Sequence, residues 1–169
     1  MQIESRTIRR LRDMLLERAG LLDASRADSP VSLDETSLEV AALIERVSPM
    51  CEALYLVMMA DGESHANERE SIRGVIATLT GGLSSQTIES MLSGYARAVA
   101  EEGRPERLLR VAGQLSADRE DAETALALAA AVALADDSIA AAEESLLVEL
   151  SESLGISSRR AAVILDTID

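Results

Sequence analysis

Six carboxylates fall into two sets with a shared spacing: Asp61, Glu63 and Glu68 in the first, Asp136, Asp137 and Glu143 in the second. In each set an apolar stretch runs into Ala-Asp, and a Glu follows seven residues after that Asp, giving the pairs Asp61/Glu68 and Asp136/Glu143. Oxygen ligands gathered over a short stretch are what a hard divalent cation such as Ca²⁺ or Mg²⁺ requires. The EF-hand pattern is not met, because its ladder of Asp or Asn is incomplete and Ala66 stands where the loop glycine belongs. The same residues suit a structural task equally well. An Asp in a helix-to-helix turn accepts hydrogen bonds from loop amides, and a Glu in the first turn of the next helix complements its dipole. Three readings stay open: a cation site, a docking surface, and the caps of two matching turns.

Other chemistry is poorly supplied. His65, the only histidine, lies in the first turn, and Ala140 occupies its equivalent in the second. A zinc site needs three or four nitrogen or sulfur ligands, and the chain has one His and one Cys. A nucleophile-base pair would have to use His65 itself, with no spacing to support it. Gly81-Gly82 lacks the continuation of a phosphate-binding loop. Cys51 sits early in an apolar helix and reads as a buried, inert thiol. A single cysteine cannot form an internal disulfide, which suits a reducing compartment. These inventories point away from an enzyme.

Charge narrows the partners. Thirty acidic and 16 basic residues leave a net charge of −14, which opposes binding to a nucleic-acid backbone and favours cations or basic partners. Every basic residue is Arg and none is Lys; without clustering, this reads as coding bias rather than guanidinium chemistry. Residues 1–20 carry charges throughout and lack the apolar centre of a signal peptide. The longest uncharged apolar run, residues 125–135, falls short of the roughly 20 residues a membrane-spanning helix needs. The expectation is a cytoplasmic protein without an integral membrane segment.

The elements that must position the carboxylates are all helical, since no alternating strand pattern competes. At 169 residues the chain is long enough for one substantial core. That core must be aliphatic, because Phe and Trp are absent and only two Tyr occur. A first helix is expected over residues 4–19, with Ile8, Leu11, Met14 and Leu15 on one face and five arginines on the other. It reads as a solvated face that docks on the acidic remainder. A partner- or membrane-surface helix is the alternative, weakened by the interspersed acids and the lack of aromatic anchors, and packing across a two-fold axis in a homo-oligomer is also open. Residues 21–31 look like a linker, so the expected division is an N-terminal helix and linker over 1–31 and a helical domain over 32–169.

Ser32 and Glu35 form a capping-box pattern for a helix ending near Val47. Ser48-Pro49 has the favoured order for starting another, although a kinked continuous helix also tolerates it. Further helices are expected to begin near residues 65–67, at Ser84 or Ser85, at Pro105, after Ser116 as cap, beyond Asp136, and at Ser157 or Ser158. Gly81-Gly82, Gly103 and Gly155 are placed to stop three of them. Residues 55–79 and 130–154 align without a gap: 136 − 61 = 75 and 143 − 68 = 75, with Val57/Val132, Ile72/Leu147 and Leu79/Leu154 at the same offset. The expected fold class is all-α, a compact bundle of about eight or nine helices with an internal pseudo-two-fold repeat.

The string Ala60-Asp61-Gly62 with Glu68, the 79–84 loop, and Ala135-Asp136 with Glu143 and Leu154-Gly155-Ile156-Ser157 resemble the TerB-like family, which includes tellurite-resistance TerB and the N-terminal domain of the DjlA co-chaperone. The resemblance covers about residues 49–169. It implies an all-α domain with internal pseudo-symmetry, a link to bacterial stress response, and metal binding at acidic positions, here Asp61, Glu68, Asp136 and Glu143. Asp137 replaces the usual glycine in the second copy, which makes the first turn the better site. Nothing in the chain resembles a J-domain, so a co-chaperone role is not carried over. The expected function is a non-enzymatic module that binds a protein partner, with a divalent-cation sensor or buffer as the alternative.

Overall fold

The computed structural model describes residues 38–60, 66–80, 83–133 and 141–166. The expected helix over residues 4–19 and the linker after it lie outside the described residues. Seven helices and no strand occur among the described residues: α1 (Leu38–Met58), α2 (Ala66–Leu79), α3 (Ser85–Glu102), α4 (Arg104–Leu115), α5 (Arg119–Ala133), α6 (Ala141–Ser153) and α7 (Ser158–Asp166). The count falls below eight or nine for two reasons. One expected helix is undescribed, and the two expected on either side of Ser48-Pro49 are a single helix.

That continuous helix is the centre of the fold. Pro49 has no N–H to offer the carbonyl four residues earlier and its ring crowds that turn, a cost of about 3 kcal/mol in a helix interior. Burial of the residues beyond Pro49 offsets it: Met50, Cys51, Ala53, Leu54, Leu56, Val57 and Met58 are all in the core, and each fully buried aliphatic side chain contributes roughly 1.5–3 kcal/mol. Helix α1 packs against α2, α3, α4, α5 and α6. Breaking it at Pro49 would detach its first half from this scaffold. Tyr95 on α3 adds a local tie, its hydroxyl donating to the Ser48 carbonyl at 3.2 Å and lying 3.1 Å from the Ser48 hydroxyl.

Helix α5 is the second buried rod. Ala122, Ala125, Leu126, Leu128, Ala129, Ala130, Val132 and Ala133 are buried, so it is apolar on nearly all sides, as a helix surrounded by others must be. Helix α5 packs against α1, and its five buried alanines carry little side-chain bulk. Small contact residues set the short end of the 8–10 Å range of interaxial distances.

Helix ends follow from identifiable caps. The Ser84 hydroxyl accepts from the Thr87 N–H at 3.1 Å and starts α3. Gly103, at φ 89°, ends α3 by donating to the Val99 carbonyl and at once serves as N-cap of α4, with Pro105 in its first turn. Ser116 does not start α5 as expected. It closes α4, its N–H donating to the Ala112 carbonyl at 2.8 Å. The starting cap is Asp118, whose Oδ1 accepts from the Glu120 and Asp121 N–H groups at 2.8 and 3.4 Å. Gly155, at φ 70°, ends α6, and the Ile156 N–H reaches back to the Ser151 carbonyl at 2.9 Å in a Schellman arrangement.

Positions related by the 75-residue offset of the sequence share burial: Val57 and Val132, Ile72 and Leu147, Val75 and Leu150, and Leu79 and Leu154 are all in the core.

Candidate functional site

Of the six carboxylates, Asp61, Glu63, Asp136 and Asp137 lie outside the described residues, as does His65. Glu68 is the third residue of α2, with its side chain undescribed, and Glu143 is the third residue of α6, half-buried. Glu143 stands in the first turn of its helix, where unsatisfied N–H groups make negative charge favourable. Among the described residues, no three His, Cys, Asp or Glu side chains come together as a metal shell.

The corner that leads into the first turn is built by α4. Arg104 Nη1 donates to the Met59 carbonyl at 3.3 Å and to the Ala60 carbonyl. These are among the last carbonyls of the α1 exit, which have no partner within the helix, and a guanidinium there also opposes the negative end of the dipole. One turn on, Arg107 clamps Glu52 in two parallel bonds, Nε to Oε1 at 2.8 Å and Nη2 to Oε2 at 2.7 Å. Both side chains are withdrawn from solvent, 13% and 5% exposed. Arg107 also reaches Glu102 at 3.3 Å, and Arg110 reaches the same carboxylate at 3.0 Å. Hydrogen bonding to Glu52 pushes the Arg107 guanidinium still further toward its charged form, against the opposing effect of burial.

This network was not read from the sequence, yet a signal was present. Glu52 is the one charge in the run from Met50 to Met58, and a carboxylate there must find a cation or go unpaired at high cost. Cys51 matches its expected character. Burial pushes its thiol up to about 12, so the nucleophilic thiolate does not form near neutral pH.

Beside this corner lies a half-open cavity of about 240 Å³ lined by Ala60, Arg104, Pro105, Ala142, Ser145, Leu146 and Glu149. It brings the α1 exit of the first motif against the first turns of the second motif's outgoing helix. Ala60 and Ala142 are the residues immediately before Asp61 and Glu143.

The outer surface of α6 has a different character. Glu144, Glu149 and Glu152 are exposed and surround Val148, which is 54% exposed. The helix has no basic residue, and none of these three glutamates is in an ion pair with a described residue. On the far side of α5, by contrast, Glu123 is bracketed by Arg119 at 3.1 Å and Arg160 of α7 at 2.5 Å.

An all-helical unit organised on one central helix is the class that this fold defines among the described residues. The chain belongs to the TerB family: the family model for tellurite resistance protein TerB matches residues 48–165, more than half of its length. The match begins at Ser48, inside α1 rather than at its start. No curated protein and no solved structure matches the chain. None of the described helices is long and apolar enough to cross a membrane.

Proposed function

We propose that the protein is a non-enzymatic, cytoplasmic interaction module of the TerB type that binds a basic, amphipathic protein partner, with tellurite or another stress as its setting. The observation that carries this reading is the outer face of α6. Glu149 and Glu152 are three residues apart, a like-charge spacing that costs a helix a few tenths of a kcal/mol, and no arginine on α6 relieves it. An arriving cationic helix would relieve it, while Val148 supplies an apolar anchor between the charges. The protein's charge of −14 adds long-range attraction for such a partner.

A fluorescent, arginine-rich amphipathic peptide tests the surface by anisotropy. Its affinity is expected to fall steeply with added salt and to be lost in the Glu144→Gln, Val148→Ser, Glu152→Gln variant. Unchanged binding in that variant would remove α6 as the docking face. Loss of tellurite tolerance on deleting the gene, restored by wild type and not by the variant, would tie the surface to the stress.

The second reading, a divalent-cation sensor or buffer using Asp61, Glu63, Glu68, Asp136, Asp137 and Glu143, has its own support. Residues preceding Asp61 and Glu143 line one cavity, and successive Cα atoms are only about 3.8 Å apart. Arg104 in the same lining works against a cation. Calorimetry with Ca²⁺, Mg²⁺ and Zn²⁺ decides: heat lost in Asp61→Asn/Asp136→Asn favours the reading, and no heat with an unchanged melting temperature ends it. We further read α1–α2 and α5–α6 as two copies of one unit related by a pseudo-two-fold, on the strength of the gapless 75-residue alignment and of the buried positions that it pairs.

A further inference from the structure

Among the described residues, three arginines are not exposed: Arg73, Arg104 and Arg107. Arg73 and Arg107 are each paired with a carboxylate. Arg104 is not, in a protein with 30 acidic residues. Its Nη1 is pinned on the carbonyls of Met59 and Ala60, which fixes the plane of the guanidinium. The opposite edge, Nε and Nη2, makes no hydrogen bond to a described residue. Arg107 shows what that edge does when a carboxylate is present, because it is Nε and Nη2 of Arg107 that clamp Glu52. Arg104 lines the cavity, and the edge of its guanidinium that matches a carboxylate has no hydrogen bond to a described residue.

The same cavity holds the opposite charge. Glu149 lines it and forms no ion pair with Arg104 or with any other described residue. Two opposite charges that share a cavity without meeting span a gap that a ligand with both charges can bridge. Ser145, Ala142 and Leu146 also line the cavity. The volume, about 240 Å³, is below the roughly 300–1,000 Å³ of pockets for drug-sized ligands, which restricts the occupant to a small metabolite.

We propose that this cavity binds a small zwitterion of the α-amino-acid class, its carboxylate on the Nε/Nη2 edge of Arg104 and its ammonium on Glu149, with a short aliphatic side chain against Leu146. The inference stands on described residues alone; it shares Glu149 with the basic-partner reading, and Arg104 and the cavity belong to it alone. It assigns Arg104 two tasks, holding the exit of α1 and reading the ligand.

Titration of the full-length protein with the standard amino acids, followed by amide NMR and calorimetry, tests it. Saturable binding of at least one small aliphatic amino acid is expected, with shifts centred on Ala142, Ser145 and Leu146. Acetate and methylammonium, each carrying one of the two charges, are expected to bind at least about tenfold more weakly, a difference of ~1.4 kcal/mol. Glu149→Gln alters an exposed, unpaired side chain, so it is expected to keep the native melting temperature and lose about tenfold in affinity. Arg104→Lys keeps the charge without the fork and is expected to weaken binding while its amide spectrum remains folded. Absence of saturable shifts with every amino acid overturns the proposal. So does acetate binding as tightly as the amino acids, or full affinity in Glu149→Gln.

Discussion

The exit of α1 and helix α5 are related by the 75-residue offset of the sequence, yet different forces hold them. At the first, α4 supplies charge: Arg104 takes the terminal carbonyls of α1, and Arg107 neutralises Glu52 inside the core. At the second, the position equivalent to Glu52 is Ala127, and α5 is held by close packing of small aliphatic side chains. Equal spacing in the sequence thus accompanies different means of holding the two helices. The exit of α1 combines order with polarity beside a cavity it shares with the start of α6; α5 is enclosed by aliphatic side chains.

The largest effect is expected at Glu52. Glu52→Ala leaves the Arg107 guanidinium withdrawn from solvent without its main partner, and urea unfolding is expected to show a loss of about 3–5 kcal/mol. Replacing both members by leucine separates stability from specificity. If the pair serves specificity more than stability, the double variant should recover most of that loss.

In the second half the corresponding test is Leu150→Ala, which empties a fully buried site. The expected cost is about 2–5 kcal/mol, set by how far the neighbours collapse into the space. It should be the same at low and high salt, whereas the partly solvated Glu102 and Arg110 around the first corner make its stability more salt-dependent.

Gly155→Ala places a Cβ at φ 70°. No neighbouring atom lies in its way, so the expected loss is the backbone preference alone, roughly 1–2 kcal/mol, measurable as a lowered melting temperature.

The smallest effect is at Glu123. Hydrogen bonds from Arg160 and, secondarily, Arg119 hold its carboxyl below the usual range. A carboxylate with a depressed folded pKa stabilises the fold above its unfolded pKa and loses that contribution as pH falls through the folded value. Glu123→Gln should therefore be slightly less stable than wild type at neutral pH and converge with it in acid. A gap that widens as pH falls would contradict the assignment.

Much of this architecture was legible because local chemistry determines it. Ser84, Gly103, Pro105, Gly155 and Ser157 sit where capping and positive φ require them, and each such rule involves only residues a few positions apart. Readings failed where a distant partner decides. Pro49 resembles a helix start because its cost is local, while the burial that outweighs it comes from five other helices. Ser116 and Asp118 are both good caps by type, and only the course of the chain between α4 and α5 separates a closing role from an opening one. The site divided in the same way. Glu143 falls in a first turn, a local matter, but the Glu52–Arg107 clamp joins residues 55 positions apart, and no local pattern links them.

Gly103 carries a consequence for the evolution of the chain. A single residue separates α3 from α4, so the two helices are geared to each other. Each inserted or deleted residue turns the following helix by about 100° and slides it by about 1.5 Å. One insertion at this joint would swing Arg104, Arg107 and the buried face of α4 away from α1 together. The junction is a phase lock: the chain can change letters around it far more readily than it can change length.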